Sequence, residues 1–594
     1  MKKIVFFIAF ACTQLALSQS DALAKKYYED GAFEKAKVFY EKLVRENPYR
    51  TDYTESLVDC YHQLKAYEQA EELLQKQLRK KNASPSFYVI LGYTYTLQGK
   101  ENEAESAYAS AISSLAKNTN YAYGVGLRFE GYALLSKAIE AYNKAMELNP
   151  EIDFNYQLAK LYGEQGEFKA MINSYLNLVA KNPGIASTVM RNINIYTTAD
   201  SSQTTSTLFK NELLSRAQKT PNLVWNKLLS WHFADQGKLT LAFMQEKAMY
   251  KREDEPSLYR IEALGNLAFE QGDYDLANTI FEFIVAENTS AETTLKAKIK
   301  RADLLVLTNK KNGISLANTA YKSLLSTYGN STRTLPLQLA YAQFLTQHKK
   351  NQKEAILLLE KCIKLPYTPT EVAALKMALA DNLVYQQRFD DALIYFTQIQ
   401  LSLKNDVRSQ LARFKVAQTS FYKGDFDWAY DQLKVLRSST SQRIANDAMQ
   451  LSLLISDHKY EDSLQVALKQ YATADLLSYQ NKTEEAIATL KNLVTQHKGE
   501  GIEDDALLKL AQLQEKKGDF ESAAFNYKKI ITFFGTGILA DDALFYLANL
   551  YTNELHNPEA AKKHFETLIF THQDSYFFPE ARKKYRQLRG DIIE

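Results

Sequence analysis

An all-α solenoid, built from about a dozen or more stacked helix pairs, is the fold class this sequence predicts. Three observations lead there. Between Ala133 and Pro150, the residues Ala138, Tyr142 and Ala145 recur four and three positions apart on one helical stripe, and Pro150 follows where a helix has to stop. Val125, Gly126 and Phe129 supply a matching small-and-aromatic stripe just upstream, so the unit is two antiparallel helices in about 34 residues. The same spacing returns along nearly all of the chain, which at 594 residues is far longer than one compact core requires.

Other units repeat the pattern in phase. One reads Leu91, Gly92 and Tyr95, then Gly99 at a turn, then Ala104, Tyr108 and Ala111. Gly31, Phe33, Ala36, Tyr40, Leu43 and Pro48 match its turn and second helix, as do Gly166, Phe168, Tyr175, Leu178 and Pro183. Small residues such as Gly92 and Ala104 let two helices approach closely, and large ones such as Tyr108 fill the space between neighbours. These residues resemble the tetratricopeptide repeat family. That resemblance implies a right-handed superhelix in which each repeat leans on its neighbours, and whose inner wall carries the binding surface.

Taken in order, residues 1–18 read as a secretory signal. Lys2 and Lys3 precede an apolar run from Ile4 to Leu17, and Ala16, Leu17 and Ser18 stand before Gln19 as a cleavage site. A run of about 14 residues is too short to span a bilayer. Cleavage before Cys12, as in a lipoprotein, fits less well, because Ala9 stands where such signals carry Leu. Residues 19–183 form a regular N-terminal block with helix terminators near positions 48, 82, 116, 150 and 183. Residues 184–256 are a degenerate block, in which the polar run from Thr197 to Thr207 reads as a widened turn between helices Ile185–Tyr196 and Leu208–Lys219. Residues 257–440 recover the phase, for example at Leu264, Gly265, Gly272, Tyr274, Ala277 and Phe281. After the polar break at Ser438 to Ser441, two helices, Ile444–Ser456 and Tyr460–Tyr479, fall outside the simple two-helix register. The block 441–594 then closes with regular repeats and a capping helix. Its last turn, Thr571 to Ser575 leading to Pro579, Ala581 and Arg582, resembles periplasmic tetratricopeptide proteins of outer-membrane assembly and cell-envelope division.

Composition narrows the function. With 72 basic and 70 acidic residues, a net charge of +2 creates no general field for nucleic acid, and no nucleic-acid motif is present. With Cys12 removed by processing, Cys60 and Cys362 lie too far apart in a solenoid to pair, and both sit among apolar neighbours, so buried packing is expected of each. The chain has no CxxC, HExxH, GxSxG or phosphate-binding loop. Gly535 to Ala540 resembles a dinucleotide loop only superficially, since it follows a helix where a strand is required. His556, His564 and His572 recur at intervals of eight, but Pro558 and a turn separate them, and no metal or cofactor is expected.

Two surfaces are candidates for binding. Carried over from the family, the inner-wall positions hold Tyr28, Asp59, His62, Tyr93, Tyr123, Glu130, Tyr156 and Lys160, with Tyr93, Tyr123 and Tyr156 expected to line one continuous groove. Tyrosine suits such a groove because it offers a large contact area and a polar tip at low entropic cost. The terminal helix Pro579–Arg589 adds a basic patch of Arg582, Lys583, Lys584, Arg586 and Arg589, which fits a solvent-facing cap or a contact with an acidic partner or anionic membrane surface. The expected protein is therefore an exported, non-enzymatic periplasmic scaffold without a transmembrane segment in its mature chain. Its expected partners are periplasmic or outer-membrane proteins, in outer-membrane protein assembly or secretion, with peripheral membrane association compatible. The competing reading is the accessory arm of an envelope enzyme complex, or a glycan- or nutrient-binding envelope protein.

Overall fold

The computed structural model describes residues 21–199, 203–287, 290–404, 406–436, 441–460 and 464–591. The expected signal segment, and the Ser438 to Thr440 part of the polar break, lie outside them. Every regular element among the described residues is a helix, as an all-α solenoid requires. The chain divides into two compact units, residues 1–237 and 238–594.

In the first unit, helices Ser86–Leu97 and Glu101–Ser113, then Ala122–Gly131 and Leu135–Leu148, then Asn155–Glu164 and Phe168–Lys181 pack as successive pairs. The helix Leu135–Leu148 buries Ala138, Ala141, Tyr142 and Ala145, the stripe read from spacing. It stops at Asn149, whose backbone is extended ahead of Pro150, because the proline ring disfavours a helical residue before it. The first two pairs are each keyed by one ring on one glycine: a Cβ at Gly126 would overlap the Tyr142 ring, and a Cβ at Gly92 would overlap Tyr108. The buried phenol still needs a hydrogen-bond partner, and the first helix provides it. Tyr142 donates to Glu130 at 2.8 Å, Tyr108 lies 3.0 Å from the Thr96 hydroxyl, and in the second unit Tyr527 donates to Glu515 at 3.0 Å. Glu130, expected on the groove wall, is thus committed to packing.

The turn inside each pair demands a left-handed residue. Gly99 and Gly166 take it at φ +74° and +75°, and Ala133 takes it at +56°. The Leu134 N–H donates to the Phe129 carbonyl at 2.9 Å, as the Lys100 N–H does to Tyr95 at 3.0 Å, closing the helix end in the same way with or without glycine.

The degenerate block corrects one expectation. Helices Ala186–Ala199 and Thr204–Lys219 take in both ends of the polar run expected as a widened turn, and its residues 200–202 lie outside those described. The reason is that its hydroxyls serve as a helix face: Thr205 and Ser206 are buried, and the Ser206 hydroxyl lies 3.4 Å from Nε2 of His232.

In the second unit, first helices pack on the first helices of the next repeat: Leu335–Gln347 on Pro369–Tyr385, and Pro369–Tyr385 on Val407–Lys423. Val407–Lys423 then packs both on Gln442–His458 and on Val466–Tyr479, the first helix of the next pair. Tyr422 donates to Asp475 at 3.1 Å across the contact with Val466–Tyr479, and Tyr479 of that helix donates back to Asp381 on Pro369–Tyr385 at 2.9 Å. Helix Gln442–His458 is therefore a single helix inserted into a pairwise pattern, which is why this stretch falls out of register in the sequence. Its buried Ile444, Ala448 and Ile455 nonetheless join one core with Ala417 and Leu510. Cys60 and Cys362 are buried free thiols, and burial pushes their pKa values up to about 12 and about 11.

Candidate functional site

The face formed by first helices of the N-terminal unit brings four of the expected residues together. Asp59 and His62 lie on helix Thr51–Gln63, Tyr93 lies on Ser86–Leu97, and Tyr28 precedes them on the helix covering residues 21–29. Tyr93 stacks on Tyr132 with ring centroids 3.9 Å apart and planes within 9°. His62 meets Tyr93 edge-on at 5.6 Å, and its Nε2 lies 2.8 Å from Oγ1 of Thr94. That hydroxyl donates to the Ile90 carbonyl at 2.8 Å, so its oxygen is left to accept from His62, which fixes the Nε2–H tautomer.

Charge completes the cluster. Arg128 forms an ion pair with Glu55, lies over the Tyr132 ring at 5.9 Å, and Tyr132 in turn donates to Asp59 at 3.4 Å. Burial works against the Arg128 charge, yet Glu55, Tyr132 and Asp59 together hold it above the ordinary value. Burial raises the Asp59 carboxyl against the pull of Arg128, and raises the Tyr28 phenol with help from Asp59. His62, 9% exposed, is pushed down to about 4 by burial and stays neutral at pH 7. Arg128 on Glu55, Tyr132 on Asp59 and His62 on Thr94 each join residues of different repeats, so the cluster fastens repeats together. His62 and Tyr93, expected on the groove wall, are engaged in these contacts between repeats.

The remaining groove candidates lie apart from the cluster. Tyr123 and Tyr156 are 53% and 46% exposed on successive first helices, and Lys160 is exposed beside Glu164, 3.8 Å away. Glu55, Arg128 and Tyr132 were missed by sequence reasoning. A signal existed, since Glu55, Asp59 and His62 share one helical face, and Tyr132 follows Arg128 by four positions.

The basic patch contracts in a similar way. Helix Phe578–Arg589 carries it, but Lys584 bonds Asn549 and pairs with Glu580 at 3.1 Å, while Arg586 and Arg589 both reach Asp591. Arg582 and Lys583 remain exposed without an ion pair among the described residues. His564 stacks parallel to Tyr551 at 5.8 Å, and burial and then Lys528 and Lys563 lower its pKa. No three His, Cys, Asp or Glu residues among those described are placed to hold one metal ion, and no described helix is long and apolar enough to cross a membrane.

Keyed helix pairs with closed left-handed turns and shared cores define an α-helical repeat protein. Tetratricopeptide-repeat profiles match residues 27–88, 85–114 and 471–530, so those stretches are tetratricopeptide repeats, which fit a protein–protein interaction scaffold. A stretch of 125 residues, 21% of the chain, is 24% identical to the general transcriptional corepressor trfA of Dictyostelium discoideum, and spans 9% of that protein's length. The solved structures of Naa15/Naa10 bound to HypK-THB and of the APC/C hetero-tetramer Cut9–Hcn1 align over 97% of this chain and of theirs at 13% identity. Their TM-scores are 0.31 and 0.21.

Proposed function

We propose that the protein is an exported, non-enzymatic scaffold of the bacterial cell envelope that holds protein partners for outer-membrane protein assembly or secretion. The observation that carries the binding surface is the exposure of Tyr123 and Tyr156 on successive first helices, beside the exposed Lys160. Two aromatic rings in one register, unclaimed by the interior, suit an extended or helical protein segment. Export is supported by Lys2, Lys3 and the apolar run to Leu17, and the envelope role by the final-turn resemblance around Thr571 to Arg582.

Crosslinking with mass spectrometry in the native envelope tests this reading. The full chain is expected in the periplasmic fraction, with crosslinks near Tyr123 and Tyr156. Each aromatic anchor is worth on the order of 2 kcal/mol, so Tyr123→Ala with Tyr156→Ala should weaken partner binding by about a hundredfold or more. Partners retained by that variant but lost on changing Arg582 and Lys583 to Ser would move the surface to the C-terminal helix. A cytoplasmic protein would overturn the envelope assignment.

A further inference from the structure

We propose that a groove in the second unit, between helices Gln442–His458, Ile502–Lys517 and Ala540–Asn553, docks a protein segment that carries spaced Lys or Arg side chains with an apolar side chain between them. This site is separate from the first-helix face described above and does not depend on it. The inserted helix creates it: Gln442–His458 stands outside the pairwise register and forms one wall, while regular first helices form the other.

The groove encloses about 720 Å³, within the range of sites that hold a ligand. Leu451, Leu454, Leu508 and Ile538 line it, and Ile538 is 73% exposed at its edge. Between these apolar positions stand Asp447, Asp457, Asp475, Asp504, Asp505 and Asp542. Against them the lining has Lys509 and His458, and both are engaged: Lys509 Nζ lies 2.5 Å from Asp475, and His458 Nε2 lies 2.8 Å from Asp505. Asp447, Asp504 and Asp542 have no ion-pair partner among the described residues.

This acid excess is local, because the chain as a whole has 72 basic and 70 acidic residues. Burial and Asp505 raise the Asp504 carboxyl, and burial and Asp541 raise Asp542 to about 6, the response of carboxylates that lack a cation. The carboxylates are also too dispersed for one ion, since no three of the described residues converge on a metal position. Separated carboxylates with apolar patches between them match separated cations on a peptide, with an aliphatic or aromatic anchor seated on Leu451, Leu454 and Leu508.

The test uses the full chain and a short fluorescein-labelled peptide of alternating Lys, Leu and Arg, read by fluorescence anisotropy. Wild type is expected to bind it, and Asp504→Asn with Asp542→Asn to weaken binding by about tenfold or more, with helical circular dichroism unchanged. Should that variant fold poorly, Asp447→Asn with Asp457→Asn on the exposed rim is expected to weaken binding about threefold or more. Asp254→Asn with Glu521→Gln, exposed and outside the groove, should bind as wild type does. Equal losses in the groove and control variants, or no loss in either groove variant, would overturn the proposal. So would equal affinity for the peptide with Ser in place of Leu, or displacement by spermine as effective as by unlabelled peptide, since the site would then read charge alone.

Discussion

The Arg128 guanidinium reaches Glu55 across 73 positions of sequence, from helix Ala122–Gly131 past the preceding repeat's first helix, Ser86–Leu97, to Thr51–Gln63. With Tyr132 on Asp59 and Tyr93 stacked on Tyr132, this pair closes the N-terminal first-helix face on itself. Both side chains are about three-quarters or more buried, at 24% and 19% exposure, so removing one partner leaves a carboxylate poorly solvated. Arg128→Ala should cost about 2 kcal/mol, and Arg128→Lys less, because an ammonium keeps the charge and loses the planar stacking on Tyr132. Thermal melts of the full chain check this. A shift no larger than that of Lys144→Ala, whose pair with Glu147 is exposed, would show that the cluster does not fasten the repeats.

Two glycines on one helix should respond in opposite senses to the same change. Helix Ala122–Gly131 contains Gly124, where a Cβ would meet nothing within 4 Å, and Gly126, where it would overlap Tyr142. Gly124→Ala should stabilise by about 0.5–1 kcal/mol, since alanine loses less backbone entropy in a helix. Gly126→Ala should destabilise by about 1–3 kcal/mol, because the ring is fixed by its bond to Glu130 and cannot swing away. Denaturant midpoints of the two variants decide it. Shifts of the same sign would mean that the ring-on-glycine key does not set the pair's spacing.

That contrast also shows what a sequence can reveal. Ala138, Tyr142 and Ala145 announce their helix and its buried face because one side chain in every three or four must be apolar for the pair to close. Gly126 is legible for the same reason, since it faces Tyr142 within one local unit. The turn at Ala133 is hidden, because a left-handed alanine carries none of the glycine signal seen at Gly99. The fastening cluster is hidden for a different reason: Glu55 and Arg128 meet only through the curvature of stacked repeats, which helical periodicity does not encode. Helix Gln442–His458 was visible as a break in register, but that it walls an acid-lined groove follows only from where it packs.

His62 should make this region acid-sensitive. Its folded pKa is about 4 against 6.5 for the unfolded residue, so between those values the unfolded chain holds a proton that the folded one excludes. Stability near His62 should be greatest above pH 6.5 and fall as the pH is lowered toward 4, then level off, for a total of about 3 kcal/mol from the two and a half units of difference. Asp59 acts in the opposite sense, because its raised folded pKa lets the folded protein take up a proton more readily than the unfolded chain, so wild type alone would show only the net trend. Comparison with His62→Gln separates the two, since glutamine can donate to Thr94 yet does not titrate. Hydrogen exchange of helices Thr51–Gln63 and Ser86–Leu97 at pH values from 7 to 4 is the measurement, corrected for the intrinsic rate at each pH. Protection should drop in wild type and drop much less in the variant. Parallel profiles would mean that His62 is protonated without cost, and that its burial against Thr94 and Tyr93 does not survive in solution.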